Sequence, residues 1–467
     1  MERREFLQGA AWLGATAVAS GCLTRGLKVA SGGLMQGYHD KPFDLLRVAV
    51  IGLSRGGCAA NFAKLPHCRI TCICDLEQVR VDNFQKTLAA EKHPKAAEFT
   101  GAEDWKRICE RDDVDLVYNA TPWQLHVPIA LYAMEHGKHV VTEVPSAFTL
   151  DDCWKLVETS ERTRRHCMQL ENCSYGEEEM LALNLVRKGL LGELVHGEGA
   201  YIHDLRKWNY GDFNPADSFN NYWNFWRLRW NTTHAGNQYC THGLGPICND
   251  MDINHGDRFD YLVSVDSPSL GFKDYATHAF KDEKNKWKAN LNVAMADMNN
   301  TIIKTVKGRT ILVQHDVANA RPYDRLNLIS GTRGILQGYP FRCALESEDK
   351  VGEGIHEYDA KFAKEVMEKY RHPLWQQAGD LAKKFGGHGG MDFIMILRLA
   401  YCLQCGLPLD TDVYDLATWC CLGELTETSA RNRGRSMDVP DFTRGGWKTA
   451  KPADFGAVDL AKMGLKV

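Results

Sequence analysis

Hydrophobic positions along this chain follow two rhythms. Up to residue 172, short apolar runs alternate with segments of helical period. Residues 48–51 (VAVI) form a continuous apolar run, as expected of a parallel strand covered on both faces. GLSRGG at 52–57 follows, then an amphipathic stretch, then a second apolar run at 70–74 that ends on Asp75. The alternation continues with a helix over 79–92, a strand over 114–119 and a helix over 127–136 opened by Trp123-Gln-Leu-His126. It closes with a strand over 138–142, a helix over 150–164 and a strand over 167–171. Strands and helices in this order predict a doubly wound parallel sheet of Rossmann type over 44–172.

Beyond Asn172 the rhythm changes. A helix over 178–188 leads to a strand over 194–203, then to a loop dense in aromatics: Trp208, Tyr210, Phe213, Tyr222, Trp223, Phe225, Trp226 and Trp230. Further strands are expected at 289–295, 300–306, 310–318 and 326–330, which makes an open mixed sheet in a second, α+β domain over 173–450. GGHGG at 386–390 precedes a long apolar helix over 391–405, and the chain after residue 432, including a tail over 451–467, reads as loop.

The first strand-turn-helix carries chemistry. A glycine turn feeding a helix N-terminus can hold a diphosphate on backbone N–H groups, and an acid about twenty residues on can accept the hydroxyls of an adenosine ribose. Asp75 is that acid, and it favours NAD over NADP because a 2′-phosphate would meet a like charge. Ser54 stands where the second glycine of the usual G-x-G-x-x-G would be. Ligands of such sheets sit at the carboxyl ends of the strands, so Thr121, Trp123, His126, Glu143 and Asn172 should line one crevice. Ser54 and Arg55 of the turn and Val144 beside Glu143 join them as cofactor-facing positions.

Composition narrows the class. The chain carries a net charge of −4 and no basic run, so no phosphate track for nucleic acid is present. Sixteen cysteines suggest disulfides, yet Cys58, Cys72, Cys74, Cys153 and Cys248 sit in apolar stretches where cysteine serves as a small buried hydrophobe. Most are read as free thiols, and the Cys402–Cys405 pair as helix packing. Residues 1–22 read as an address: Arg3-Arg4 before a mild apolar run resembles a twin-arginine export signal, and Ala19-Ser20-Gly21-Cys22 resembles a lipoprotein cleavage box that would anchor Cys22. The expected location is therefore periplasmic or envelope-anchored. His203-Asp204, His242, Asp252 and His255 can be drawn as a metal set. Asp252 and His255 fall in a segment read as helix, about one turn apart, and no metal is assigned.

The layout resembles the glucose-fructose oxidoreductase (Gfo/Idh/MocA) superfamily. Within it, TPWQLH (121–126), EVP (143–145), YIHDLR (201–206), WRL (226–228), YCTHGLGP (239–246), RPYDR (321–325), GGHGGMDF (386–393) and DVPDFTRGGWK (438–448) resemble glycoside hydrolase family 109. That resemblance implies an NAD-dependent α-N-acetylgalactosaminidase acting on a glycan with a terminal N-acetylhexosamine. The implied cycle takes a hydride from carbon 3, eliminates the aglycone, adds water and returns the hydride, without the carboxylate pair of most glycosidases. It implies His242 and Tyr201 as catalytic groups and Tyr201, Arg227, Tyr239, His242 and Tyr323 as substrate contacts. An imidazole suits a proton that must be taken and returned near neutral pH. The superfamily's open sheet also commonly pairs, which leaves a homo-oligomer open while the sequence itself does not fix the oligomeric state.

Two departures bear on mechanism. Sugar dehydrogenases of the superfamily usually carry E-K-P and D-x-x-x-H, whereas this chain has Val144 at the lysine position and Gln238 four before His242. Both speak against the alternative of a net NAD(P)-dependent sugar or inositol dehydrogenase. A non-catalytic sugar- or dinucleotide-binding protein is a third reading, disfavoured by the retained His242, Tyr201 and Tyr323.

Overall fold

The computed structural model describes residues 32–212, 214, 222–347 and 351–465. The signal-like segment, Cys22 and Phe213 lie outside them. Six strands, β1 (Leu46–Ile51), β2 (Cys68–Cys74), β3 (Ala97–Phe99), β4 (Leu116–Asn119), β5 (His139–Thr142) and β6 (Cys167–Gln169), form a parallel sheet in the order β3-β2-β1-β4-β5-β6. Five of the six residues of β1 and all of β4, β5 and β6 are buried, as sequence runs without polar alternation require. The strand order reverses between β1 and β4, which opens a crevice at their carboxyl ends.

The second sheet runs β13-β12-β11-β7-β10-β9-β8-β14. Its members are β7 (Leu194–Ile202), β8 (Phe259–Asp266), β9 (Asn299–Thr305), β10 (Thr310–Asp316), β11 (Leu328–Gly331), β12 (Gly334–Gln337), β13 (Arg342–Leu345) and β14 (Met437–Asp438). Only β7 and β10 pair in parallel, so the sheet is mixed as expected. Every cysteine among the described residues is a free thiol, and most are buried.

The strand expected at 289–295 does not form. Lys286–Ala289 is a short helix, and the backbone N–H groups of Ala294 and Met295 bond the Asn231 carbonyl instead of a ladder. Val293 and Met295 there fill an apolar cluster with Leu228, Trp230 and Phe272, so tertiary packing overrode the alternation. The expected helical segment carrying Asp252 and His255 is also absent. The Thr241–Asp250 helix stops, and Asp252 and Asn254 turn the chain through positive φ (55° and 65°). Four helices missed in sequence, Ala360–Tyr370, Pro373–Phe385, Val413–Cys420 and Leu422–Arg431, pack the C-terminal third against both sheets.

The Met391–Cys405 helix matches its expected bounds and carries an arginine amid its apolar residues. Arg398 places Nη2 2.5 Å from Asp410 Oδ1 and Nε 3.1 Å from Oδ2, and the Tyr175 hydroxyl donates to the same Oδ2 (3.0 Å). Both ionic side chains are 2% exposed. Removing one member of such a pair leaves an uncompensated buried charge, so Arg398→Met should cost about 3–5 kcal/mol. The check is a urea unfolding midpoint, which should fall clearly; an unchanged midpoint would contradict this role.

Candidate active site

The Thr241–Asp250 helix lies on β7 with backbone against backbone. A Cβ on Gly199 would fall 1.9 Å from the Gly243 carbonyl oxygen, and one on Gly243 would fall 2.2 Å from the Ala200 nitrogen. Two glycines in register thus let the helix press onto the strand, and the neighbouring His242 and Tyr201 rings come to 5.3 Å between centroids. A third glycine, Gly245, leaves room for Glu171, whose Cγ would sit 2.7 Å from a Cβ there.

Glu171 follows β6 and is 1% exposed. Its carboxylate faces His242 Nδ1 at 2.8 and 3.0 Å and accepts the Cys173 N–H at 3.0 Å. A carboxylate only accepts, so Nδ1 carries the proton and the Nε2 lone pair is turned toward the cleft, 3.3 Å from the Tyr239 hydroxyl. Sequence reasoning missed Glu171. Gln238, at the position of the usual orienting aspartate, does not touch His242: its amide donates to the Ala235 and Gly423 carbonyls and accepts from Trp230 Nε1.

Around this pair stand the other expected sugar-side residues. Tyr201 packs on Tyr239 (centroids 4.5 Å) and meets Tyr323 edge-on (6.1 Å). Arg227 is 4% exposed, its guanidinium lies over Trp123 (4.9 Å) and Tyr239 (4.7 Å), and it donates to the Tyr222 hydroxyl at 2.9 Å. Burial raises the Tyr201 and Tyr239 phenols, so both stay protonated at neutral pH. His203, another residue not singled out for the cleft, meets the Tyr201 hydroxyl at 3.1 Å, and burial lowers its ring to about 4.

On the other side are the Rossmann residues. Gly52 has φ +89°, and a Cβ there would strike the Ala120 carbonyl oxygen at 2.4 Å; a Cβ on Gly57 would meet nothing within 4 Å. The turn is therefore tight on its strand side and open on its cleft side. The segment after it, Arg55–Lys64, is a 3-10 helix rather than the expected α-helix. Asp75 accepts the Leu53 N–H (2.8 Å) and the Glu77 N–H (3.0 Å), one on each oxygen, which fixes its carboxylate at the rim of the turn. Glu143 receives the Tyr118 hydroxyl (2.7 Å), and burial lifts its carboxyl to about 7. His126 is 1% exposed with its ring nitrogens 2.8 Å from carbonyls of Thr121 and Pro145; burial lowers its pKa to about 4, so the neutral ring donates to one of the two. Asn172 donates to Asp392 at 2.6 Å.

All these positions, from Ser54, Arg55, Asp75, Trp123 and Val144 to Asn172, Tyr201 and Tyr323, line one cleft of about 1080 Å³. The crevice at the carboxyl ends of the first sheet and the aromatic pocket are thus a single cavity. Arg55 bridges them, with Tyr222, Tyr239, Tyr201 and Glu143 around its charge. The metal set drawn from sequence does not assemble: Asp204 pairs with Arg206, Asp252 with Arg187, and His255 faces Asp415 at 3.5 Å, while His203 and His242 stay in the cleft.

Residues 175–449 match the model of the glycosyl hydrolase 109 C-terminal domain, and residues 46–170 that of the oxidoreductase-family NAD-binding Rossmann fold. The chain belongs to glycosyl hydrolase family 109. It is 43% identical over 466 residues to the alpha-N-acetylgalactosaminidase of Shewanella oneidensis, covering 97% of this chain and 98% of that protein. It is 45% identical over 428 residues to the glycosyl hydrolase family 109 protein 1 of Bacteroides fragilis, covering 89% of each. Among solved structures, levoglucosan dehydrogenase in complex with NADH superposes with a TM-score of 0.60 at 17% identity, over 85% of this chain and 99% of that one, which speaks to the fold.

The family's NAD-binding domain makes Asp75 testable here. Its Oδ1 keeps a lone pair for a ribose hydroxyl, while Oδ2 also faces Arg80 Nη1 at 3.7 Å, and a charged acceptor is worth about 1.5–3 kcal/mol. Asp75→Ala should weaken NAD⁺ binding by roughly ten- to a hundred-fold in a direct titration. Unchanged affinity would place the adenosine ribose elsewhere.

Proposed function

We propose that this chain is an exported, exo-acting glycosidase that releases terminal α-linked N-acetylgalactosamine through an NAD-dependent cycle with no net redox change. The observation that carries this reading is the His242–Glu171 pair facing, across one cavity, the crevice of an NAD-binding fold. Membership of family 109 and the name of the Shewanella oneidensis relative support the sugar. Export is supported by Arg3-Arg4 and the box ending at Cys22.

The residues fit a dinucleotide: the turn is open above Gly57, Asp75 is held at its rim, and the cleft is large enough for cofactor and sugar together. NAD⁺ bound there would accept a hydride from carbon 3 of the sugar and later return it. His242 Nε2 takes the proton of the carbon-3 hydroxyl as that hydrogen leaves, and Glu171 stabilises the imidazolium that forms. Tyr201 and Tyr239, held protonated by burial, donate to sugar oxygens. Arg227 supplies a fixed charge at the pocket wall, braced by two aromatic faces. The ketone acidifies the proton on carbon 2. A base takes it as the bond from carbon 1 to the aglycone oxygen breaks and that oxygen gains a proton from water. Water then adds across the double bond, its hydroxyl to carbon 1 and a solvent-derived proton to carbon 2. The proton on His242 then returns to the carbon-3 oxygen.

The test is hydrolysis of nitrophenyl α-N-acetylgalactosaminide by the chain freed of nucleotide. Nitrophenol release should require NAD⁺ while no NADH accumulates. His242→Ala should lower the rate by roughly two to four powers of ten. Glu171→Ala should also lower it, yet add little to His242→Ala, as expected of groups that act as a unit. Full hydrolysis without NAD⁺, or net NADH from free sugar, would overturn the reading.

A further inference from the structure

The GGHGG turn at 386–390 has a costly conformation. Gly386, Gly387, Gly389 and Gly390 all have positive φ, from 73° to 107°, and His388 among them sits at 45°. A Cβ on Gly387 would fall 2.7 Å from Asp392 Oδ2, and one on Gly390 would fall 2.9 Å from the Ala382 carbonyl carbon. Glycine is therefore required at both, and a non-glycine residue is held in the left-handed region between them. Such a turn folds the chain back over the start of the Met391–Cys405 helix and sets His388 at the edge of the cleft.

Asp392 organises this corner. Its side chain is 2% exposed and has three partners: Asn172 Nδ2 at 2.6 Å, Cys58 Sγ at 3.2 Å and His388 Nδ1 at 2.8 Å. One carboxylate from the C-terminal domain thus reaches the end of β6, the segment that follows the glycine turn, and the histidine. Because Nδ1 donates to Asp392, the other ring nitrogen is the one left for a ligand. The carboxylate also favours the charged ring, whose pKa is raised chiefly by that hydrogen bond. The His388 side chain is 57% exposed and lines the same cleft as Gly52, Ser54, Gly57 and Cys58.

The glycine turn faces a chemical demand it meets only in part. A dinucleotide brings two phosphate charges to this point, and the segment after the turn is a 3-10 helix without regular α-helical N-terminal geometry. A cation across the cleft completes the site. We propose that His388 contacts the cofactor, its imidazolium donating Nε2–H to the diphosphate, so that the C-terminal domain closes the dinucleotide crevice. The idea rests on the NAD reading above and deepens it. A hydride that must return to the sugar it left requires the nucleotide to stay bound through turnover, and a clamp from both domains serves that end.

The test uses the full chain freed of nucleotide, titrated with NAD⁺, ADP-ribose and adenosine. His388→Ala should weaken NAD⁺ and ADP-ribose alike by about ten-fold or more, the size of a charge-assisted hydrogen bond, and leave adenosine unchanged. His388→Gln, which keeps a donor without the charge, should fall between. Asp75→Ala should weaken all three ligands. Thermal stability without nucleotide should fall only modestly in His388→Ala, because Asp392 keeps Asn172 and Cys58 as donors. NAD⁺ affinity lost in Asp75→Ala but kept in His388→Ala would overturn the proposal and leave the NAD site standing. Weaker glycoside binding alone would make His388 a sugar contact and equally overturn it. Failure of the parent chain to bind NAD⁺ or ADP-ribose would remove the underlying reading, and this proposal with it.

Discussion

The contact of the Thr241–Asp250 helix on β7, made by Gly199 and Gly243 with no side chain between, is the constraint on which the site depends. Any Cβ at either position would overlap backbone, which cannot move aside as a flexible side chain can. A helix held off by even one methyl group would carry His242 away from both Tyr201 and Glu171. The same economy recurs at Gly245, where the missing side chain admits Glu171 from the other domain. Three glycines thus decide whether His242, the carboxylate that orients it and its aromatic neighbours converge.

Convergence has an electrostatic side. The cleft collects Arg55, Arg227, Glu143 and Asp392, with Glu171 behind His242, and most find compensation. Arg227 rests against the Trp123 and Tyr239 rings, Glu171 spans His242 and a backbone N–H, and Asp392 has three donors. Glu143 has the Tyr118 hydroxyl, and its carboxyl rises to about 7 through burial. Phenols raised by the same burial stay protonated, so the pocket offers fixed hydroxyl donors.

The Rossmann half was readable because its strands are buried on both faces, and continuous apolar runs such as VAVI are hard to mistake. The sugar-side residues Tyr201, Arg227, Tyr239, His242 and Tyr323 came through a motif resemblance, and the fold gathers them into one cavity. Glu171 stayed hidden because its partner is 71 residues away and on another domain; nothing local marks an acid at a strand end as the brace of a distant histidine. The false strand at 289–295 and the false helix around Asp252 share a cause. Each had the right local pattern, and each lost to a tertiary demand, an apolar cluster in the first and a left-handed turn in the second. β8 was missed although FDYLVSVD alternates, because its apolar residues fall on the exposed face as well: Val265 is 57% exposed.

The central claim is that a hydride leaves the sugar and comes back, with a carbon-2 proton lost in between. Hydrolysis carried out in D₂O and followed by proton NMR of the released N-acetylgalactosamine tests it directly. The account predicts deuterium at carbon 2 of every product molecule; product that retains its original carbon-2 proton would contradict it.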